Sequence, residues 1–117
     1  MAQIQARPFR LALLQLADLT GSKTHNIAIA RKAVLAAANS SPKPDLIVLP
    51  EIWNSPYAVA KFREYAEAVP EPGSSGGGTE GETVTAMREM AKEARVWLIG
   101  GESLLLLVLL DYWSLTM

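Results

Sequence analysis

The sequence contains no cysteine, which excludes a disulfide framework, a thiolate metal site and a cysteine nucleophile within its 117 residues. A single histidine, His25, leaves no histidine pair from which to build a metal centre. Neither sign of charge is in excess, since 11 Lys and Arg stand against 12 Asp and Glu. That balance gives no basic footprint for a nucleic-acid backbone. Long apolar runs are missing too. The most apolar segment, Leu104 to Leu110, is six leucines and a valine, far short of the roughly 20 residues that span a bilayer. The start, Met1 to Arg7, is polar and lacks the apolar stretch of a secretory signal. Asn39-Ser40-Ser41 is therefore a chance match to the glycosylation pattern, and the expected location is cytoplasmic. What remains is a chain half apolar and one-fifth charged, long enough for one domain around one core.

Phe9 to Leu16 (FRLALLQL) reads as a strand buried on both faces, as in a covered parallel sheet. Asp18 to Ser22 is a turn, and Ser22 suits the cap of a helix from Lys23 to Asn39. Ile27, Ala30, Val34, Ala37 and Ala38 recur along that helix at helical spacing. NSSPKP (Asn39 to Pro44) stops it, and Asp45 to Leu49 forms a second buried strand ended by Pro50. A strand–helix–strand unit of this kind implies parallel strands and a right-handed crossover. Val59 to Ala68 predicts a short helix carrying Phe62 and Tyr65, and Val69 to Gly81 is a flexible linker by composition. Val84, Met87, Ala91 and Ala94 mark one face of a helix from Glu82 to Arg95. Val96 to Ile99 is the third strand, stopped by Gly100-Gly101. The expected fold class is α/β.

Few residues offer chemistry. Gly73 and Gly78 have the spacing of a phosphate-cradling loop, but Thr79-Glu80 follows where a lysine is needed, so the linker reading prevails. His25, in the first turn of a helix, suits surface or capping duty, and Asn26 is placed to tie down the neighbouring turn. Glu51 is different, because it follows a buried strand and Pro50 and so stands at the carboxyl end of a parallel sheet. Ligands of open α/β sheets bind at that edge. Partial desolvation beside Trp53 would raise its pKa toward the range of a general base. On position alone, a base and a solvated glutamate ending a strand are both consistent.

LIVLPEIWNSPY (Leu46 to Tyr57) resembles the first motif of the nitrilase, or carbon–nitrogen hydrolase, superfamily. Leu49-Pro50-Glu51 followed by Asn54-Ser55-Pro56-Tyr57 is most similar to its ω-amidase branch. FRLALLQL resembles the family's first strand, and Phe62 to Pro70, with Tyr65-Ala66-Glu67, its following helix. Gly81 to Glu102 resembles the second helix and third strand. The resemblance covers residues 9–102, with Pro72 to Glu80 as a local insertion and residues 103–117 as a leucine-rich tail outside it. It implies a partial α-β-β-α sandwich, of which these residues supply three strands and their crossover helices.

It further implies amide hydrolysis through a covalent thioester, with a glutamate base, an oxyanion-stabilising lysine and a cysteine nucleophile. Glu51 matches the glutamate; the lysine and cysteine have no counterpart here. Complete relatives would cleave the terminal amide of small ω-amidodicarboxylates such as α-ketoglutaramate, with neither metal nor cofactor. The deaminated-glutathione amidases are the nearest alternative branch. The implied partner is a small-molecule amide, not nucleic acid or membrane, and a homo-oligomer is left open. A truncated gene model and a genuine short, non-catalytic form both fit the departure after Gly101. Either way, a lone three-stranded sheet is expected to leave one apolar face in contact with water.

Overall fold

A computed structural model describes residues 6–67 and 81–101 of the chain. Its elements run β1 (Leu11–Leu13), α1 (Lys23–Ala38), β2 (Leu46–Val48), α2 (Val59–Tyr65), α3 (Glu82–Ala94) and β3 (Trp97–Ile99). The α/β class, the element order and the parallel strands agree with the reading of the sequence. Residues 69–80 of the expected linker and the leucine-rich tail, residues 103–117, lie outside the described residues, and Gly81 at the linker's end caps α3.

The strands form one parallel sheet in the order β1-β2-β3. Its register sorts every side chain. Ala12, Ile47 and Leu98 align in one row, while Leu11, Leu46 and Trp97, and Leu13, Val48 and Ile99, make the rows on either side of it. Successive side chains on a strand point to opposite faces, so the middle row faces one way and the outer rows the other. Helices α1 and α3 pack on each other over the middle row. Ile47 and Leu98 are buried there with Ala30, Val34 and Ala38 of α1 and Val84, Met87, Met90, Ala91 and Ala94 of α3. The small alanines of α1 let the two helices approach closely, and the methionines of α3 fill the space left over.

Local signals explain the ends of these elements. Ser22 caps α1, its hydroxyl accepting from the His25 backbone N–H at 3.2 Å. Asn26 is fully buried and bonds both ways to Thr20: its amide donates to the Thr20 carbonyl and its oxygen accepts from the Thr20 N–H, each at 2.8 Å. The turn between β1 and α1 is tied down as its sequence suggested. Helix α3 ends at Arg95 in the left-handed region (φ 54°), a conformation that lets the chain reverse directly into β3.

One expectation needs correcting. The first strand was read as buried on both faces over Phe9 to Leu16, but β1 has three residues, and Leu11 and Leu13 are 49 % and 72 % exposed. The reason is topological. Both crossover helices cover the same face, and among the described residues nothing covers the other, where Phe9 and Trp97 are also exposed. Continuous apolar sequence marks a strand suited to burial on two sides; here one side is filled.

These two faces should respond differently to substitution. Leu13→Thr keeps a strand-compatible residue on the bare face. It should change stability by less than about 0.5 kcal/mol in urea unfolding, while lowering the fluorescence of a bound hydrophobic dye. Ile47→Ala, beneath the helices, should cost about 2–5 kcal/mol. Equal losses from the two would show that the bare face is covered in solution.

Candidate functional site

The central strand β2 delivers Pro50 and then Glu51 to the carboxyl edge of the sheet, where Glu51 stands in a turn with its side chain exposed. Its position is the one read from the sequence. The environment is not. Trp53 was expected to desolvate the carboxylate, but its indole is 2 % exposed and turned into the protein, donating from Nε1 to the Gly100 carbonyl at 2.7 Å. A buried indole N–H needs an acceptor, and the end of β3 supplies one. Trp53 thus anchors the loop and leaves Glu51 open.

Between Glu51 and Trp53, Ile52 takes φ 47°. For a β-branched residue this left-handed conformation is a genuine outlier, costing roughly 1–2 kcal/mol, and it persists only where the surroundings over-determine it. Three contacts do so. Trp53 holds Gly100. Asn54, buried at 3 % exposure, donates from Nδ2 to Thr83 Oγ1 at 3.1 Å, reaching the first turn of α3. On the third side Gly101, at φ 69°, lies so close to Pro50 that a Cβ there would sit 2.1 Å from the Pro50 carbonyl oxygen. Only glycine fits that approach.

Thr83 in turn belongs to a polar cluster that reasoning from the sequence did not find. Its hydroxyl donates to Glu67 Oε2, and its backbone N–H donates to Glu67 Oε1 at 2.8 Å. Lys23 Nζ lies 2.9 Å from Glu67 Oε2 and donates also to the Tyr65 carbonyl at 2.9 Å. The Tyr65 hydroxyl reaches back to the Gly21 carbonyl at 2.5 Å. Lys23 of α1 and Thr83 of α3 therefore meet at one carboxylate, to which the Glu51 loop is joined through Thr83 and the end of α2 through Lys23. Burial pushes the Glu67 carboxyl upward, but the bonds from Thr83 and Lys23 together outweigh it and hold the group below its ordinary 4.5.

His25 is exposed, with Nε2 3.0 Å from the Asp18 carbonyl oxygen, in keeping with a structural role at the helix start. Gly73 and Gly78 lie outside the described residues. Among the described residues no three His, Cys, Asp or Glu side chains come together to hold a metal ion. Nor is any described helix long and apolar enough to cross a membrane. A groove of about 640 Å³ runs along the bare face beside Phe9, Asp45, Leu46 and Trp97. Glu51 does not line it. The groove follows from the uncovered sheet, not from the chemistry at the carboxyl edge.

Comparison with known proteins agrees with this fold. The family model described as carbon-nitrogen hydrolase matches residues 10–106. A hydrolase of Schizosaccharomyces pombe is 41 % identical over 95 residues, covering 81 % of this chain and 26 % of its own length. The chloroplastic omega-amidase of Arabidopsis thaliana is 38 % identical over 80 % of this chain, and omega-amidase NIT2 of Homo sapiens 39 % over the same share. The chain spans 23 % and 29 % of those two proteins. Among solved structures, Saccharomyces cerevisiae Nit3, from branch 10 of the nitrilase superfamily, superposes with a TM-score of 0.68 at 29 % identity. That match covers 80 % of this chain and 32 % of Nit3.

The Glu67 cluster makes a pH-dependent contribution whose sign follows from its lowered pKa. A depressed carboxyl stabilises the fold above the unfolded-state pKa near 4.5 and loses that contribution as pH falls through the folded value. Glu67→Gln should therefore cost about 1.5–3 kcal/mol at neutral pH, where charged hydrogen bonds are lost. The gap between the two proteins should stay constant down to about pH 5 and close below it. Denaturant unfolding across that range checks this; a gap that widens in acid would reverse the assignment.

Proposed function

The chain belongs to the carbon–nitrogen hydrolase family, and from that membership we propose that it is the base-bearing N-terminal part of an omega-amidase-like enzyme. The substrate class is the terminal amide of small ω-amidodicarboxylates such as α-ketoglutaramate, cleaved in the cytoplasm without metal or cofactor. The observation that carries this reading is the placement of Glu51. It stands exposed at the carboxyl end of the central strand, in a loop pinned on three sides.

A carboxylate fixed there can take the proton of a nucleophile and return it to the leaving amine, which is the work of a general base followed by a general acid. It cannot itself supply the covalent step. The 117 residues hold no cysteine, so a cysteine nucleophile must come from outside them, and the family resemblance places the oxyanion-stabilising lysine beyond the third strand as well. The exposure of Glu51 is consistent with that division, because the carboxylate remains open toward groups this segment does not contain. Several relatives bear the name omega-amidase, which favours that branch over the neighbouring one acting on deaminated glutathione.

Two measurements test the proposal. The 117-residue chain alone should release no ammonia from α-ketoglutaramate above a buffer blank, and turnover that survives repurification would overturn the requirement for an outside nucleophile. Residues 1–101, fused to the part of human omega-amidase NIT2 beyond the matched segment, should restore turnover. In that fusion Glu51→Gln should lower kcat by about 10²-fold or more. An active fusion indifferent to Glu51→Gln would reduce this residue to the end of a strand.

A further inference from the structure

We propose that Glu67 is a positioning residue for Glu51, acting through Thr83 and Asn54 to hold the left-handed turn at Ile52. The hydrogen bonds run in one direction. Asn54 Nδ2 donates to Thr83 Oγ1, the Thr83 hydroxyl donates to Glu67, and the carboxylate, an acceptor only, ends the chain. Because Glu67 cannot donate, the Thr83 hydroxyl proton must point at it, which leaves the Thr83 lone pairs for Asn54. A neutral amide at position 67 removes that directionality, since its own N–H₂ competes for the same hydroxyl oxygen.

The charge is held in place as well. Lys23 from α1 is the charged group acting on Glu67, and it lies 5.9 Å from the centre of the Tyr65 ring of α2. Both side chains of the pair are mostly buried, at 16 % and 13 % exposure, so solvent competes little for either. Asn54 and Thr83 are more deeply buried still. A buried polar chain of this kind favours one arrangement strongly, because any other leaves a group unpaired. The arrangement it favours fixes Asn54 three residues beyond Glu51, on the far side of the strained Ile52.

The link to catalysis rests on the reading of Glu51 as the base; the mechanical coupling does not. Its test is therefore spectroscopic and needs no turnover. The full chain labelled with 5-fluorotryptophan gives separate fluorine resonances for its three tryptophans, Trp53 being assigned by Trp53→Phe. Glu67→Gln and Thr83→Val should each move the Trp53 line by more than its width. The Trp97 line, on β3, should stay in place and report that the sheet is intact. Thr83→Ser, which keeps the hydroxyl, should restore the original Trp53 position, and Glu64→Gln, on the exposed side of α2, should leave it unmoved.

Thr83→Val is nearly isosteric, so it keeps the test decisive even where Glu67→Gln weakens the whole fold. A Trp53 line unmoved by Thr83→Val with the Trp97 line intact, or a shift that Thr83→Ser does not reverse, overturns the coupling. That result would leave the assignment of Glu51 standing. Conversely, an active fusion indifferent to Glu51→Gln would remove the base and leave the coupling between Glu67 and Trp53 untouched.

Discussion

Two crossovers of one hand, taken in succession across the sheet, place α1 and α3 on the same side of it. Much of the molecule follows from that constraint. It buries the row Ala12, Ile47 and Leu98 beneath two helices and leaves the flanking rows without cover among the described residues. It also brings the start of α3 near the carboxyl end of β2, so that Thr83 can reach the loop carrying Glu51. The bare face and the pinned loop are two results of the same geometry.

The carboxyl edge shows how a strained turn is maintained at modest expense. Ile52 sits in a conformation that a β-branched residue avoids, and no single neighbour forces it there. Trp53 supplies an apolar body with one directed hydrogen bond, Asn54 supplies a polar contact, and Gly101 allows the backbone of β3 to close against Pro50. Two of these anchors meet the chain just after β3, at Gly100 and Gly101, and the other reaches the first turn of α3. The turn is thus a sum of packing decisions made across the fold, and Glu51 inherits its position from them.

Much of this was legible in the sequence, for identifiable reasons. Helical spacing of Val84, Met87, Ala91 and Ala94 marks the face of α3 that is buried, and NSSPKP marks the end of α1 because proline cannot continue it. Strand, proline and glutamate in succession place Glu51 at the sheet edge. The first strand misled, because an apolar run reports capacity for burial and not the number of layers available. Trp53 misled likewise, since its orientation depends on a carbonyl at Gly100 far along the chain. The Glu67 cluster was invisible. Lys23, Asn54, Glu67 and Thr83 come from four separate segments and share no spacing, and each taken alone reads as an ordinary polar residue.

The parallel register also bears on how the chain reaches this state. Leu11 pairs with Leu46, and Leu46 with Trp97, so no two neighbouring strands can be joined by a tight hairpin. Each ladder requires a long loop to close before any of its hydrogen bonds form, and loop closure must be met in entropy first. Helix α1 can nucleate locally, but neither ladder forms without β2, because it is the strand both share. Contact order of this kind slows folding and prolongs the interval in which β2 stands unpaired. The same central strand that presents Glu51 is therefore the one whose assembly sets the pace of the whole sheet.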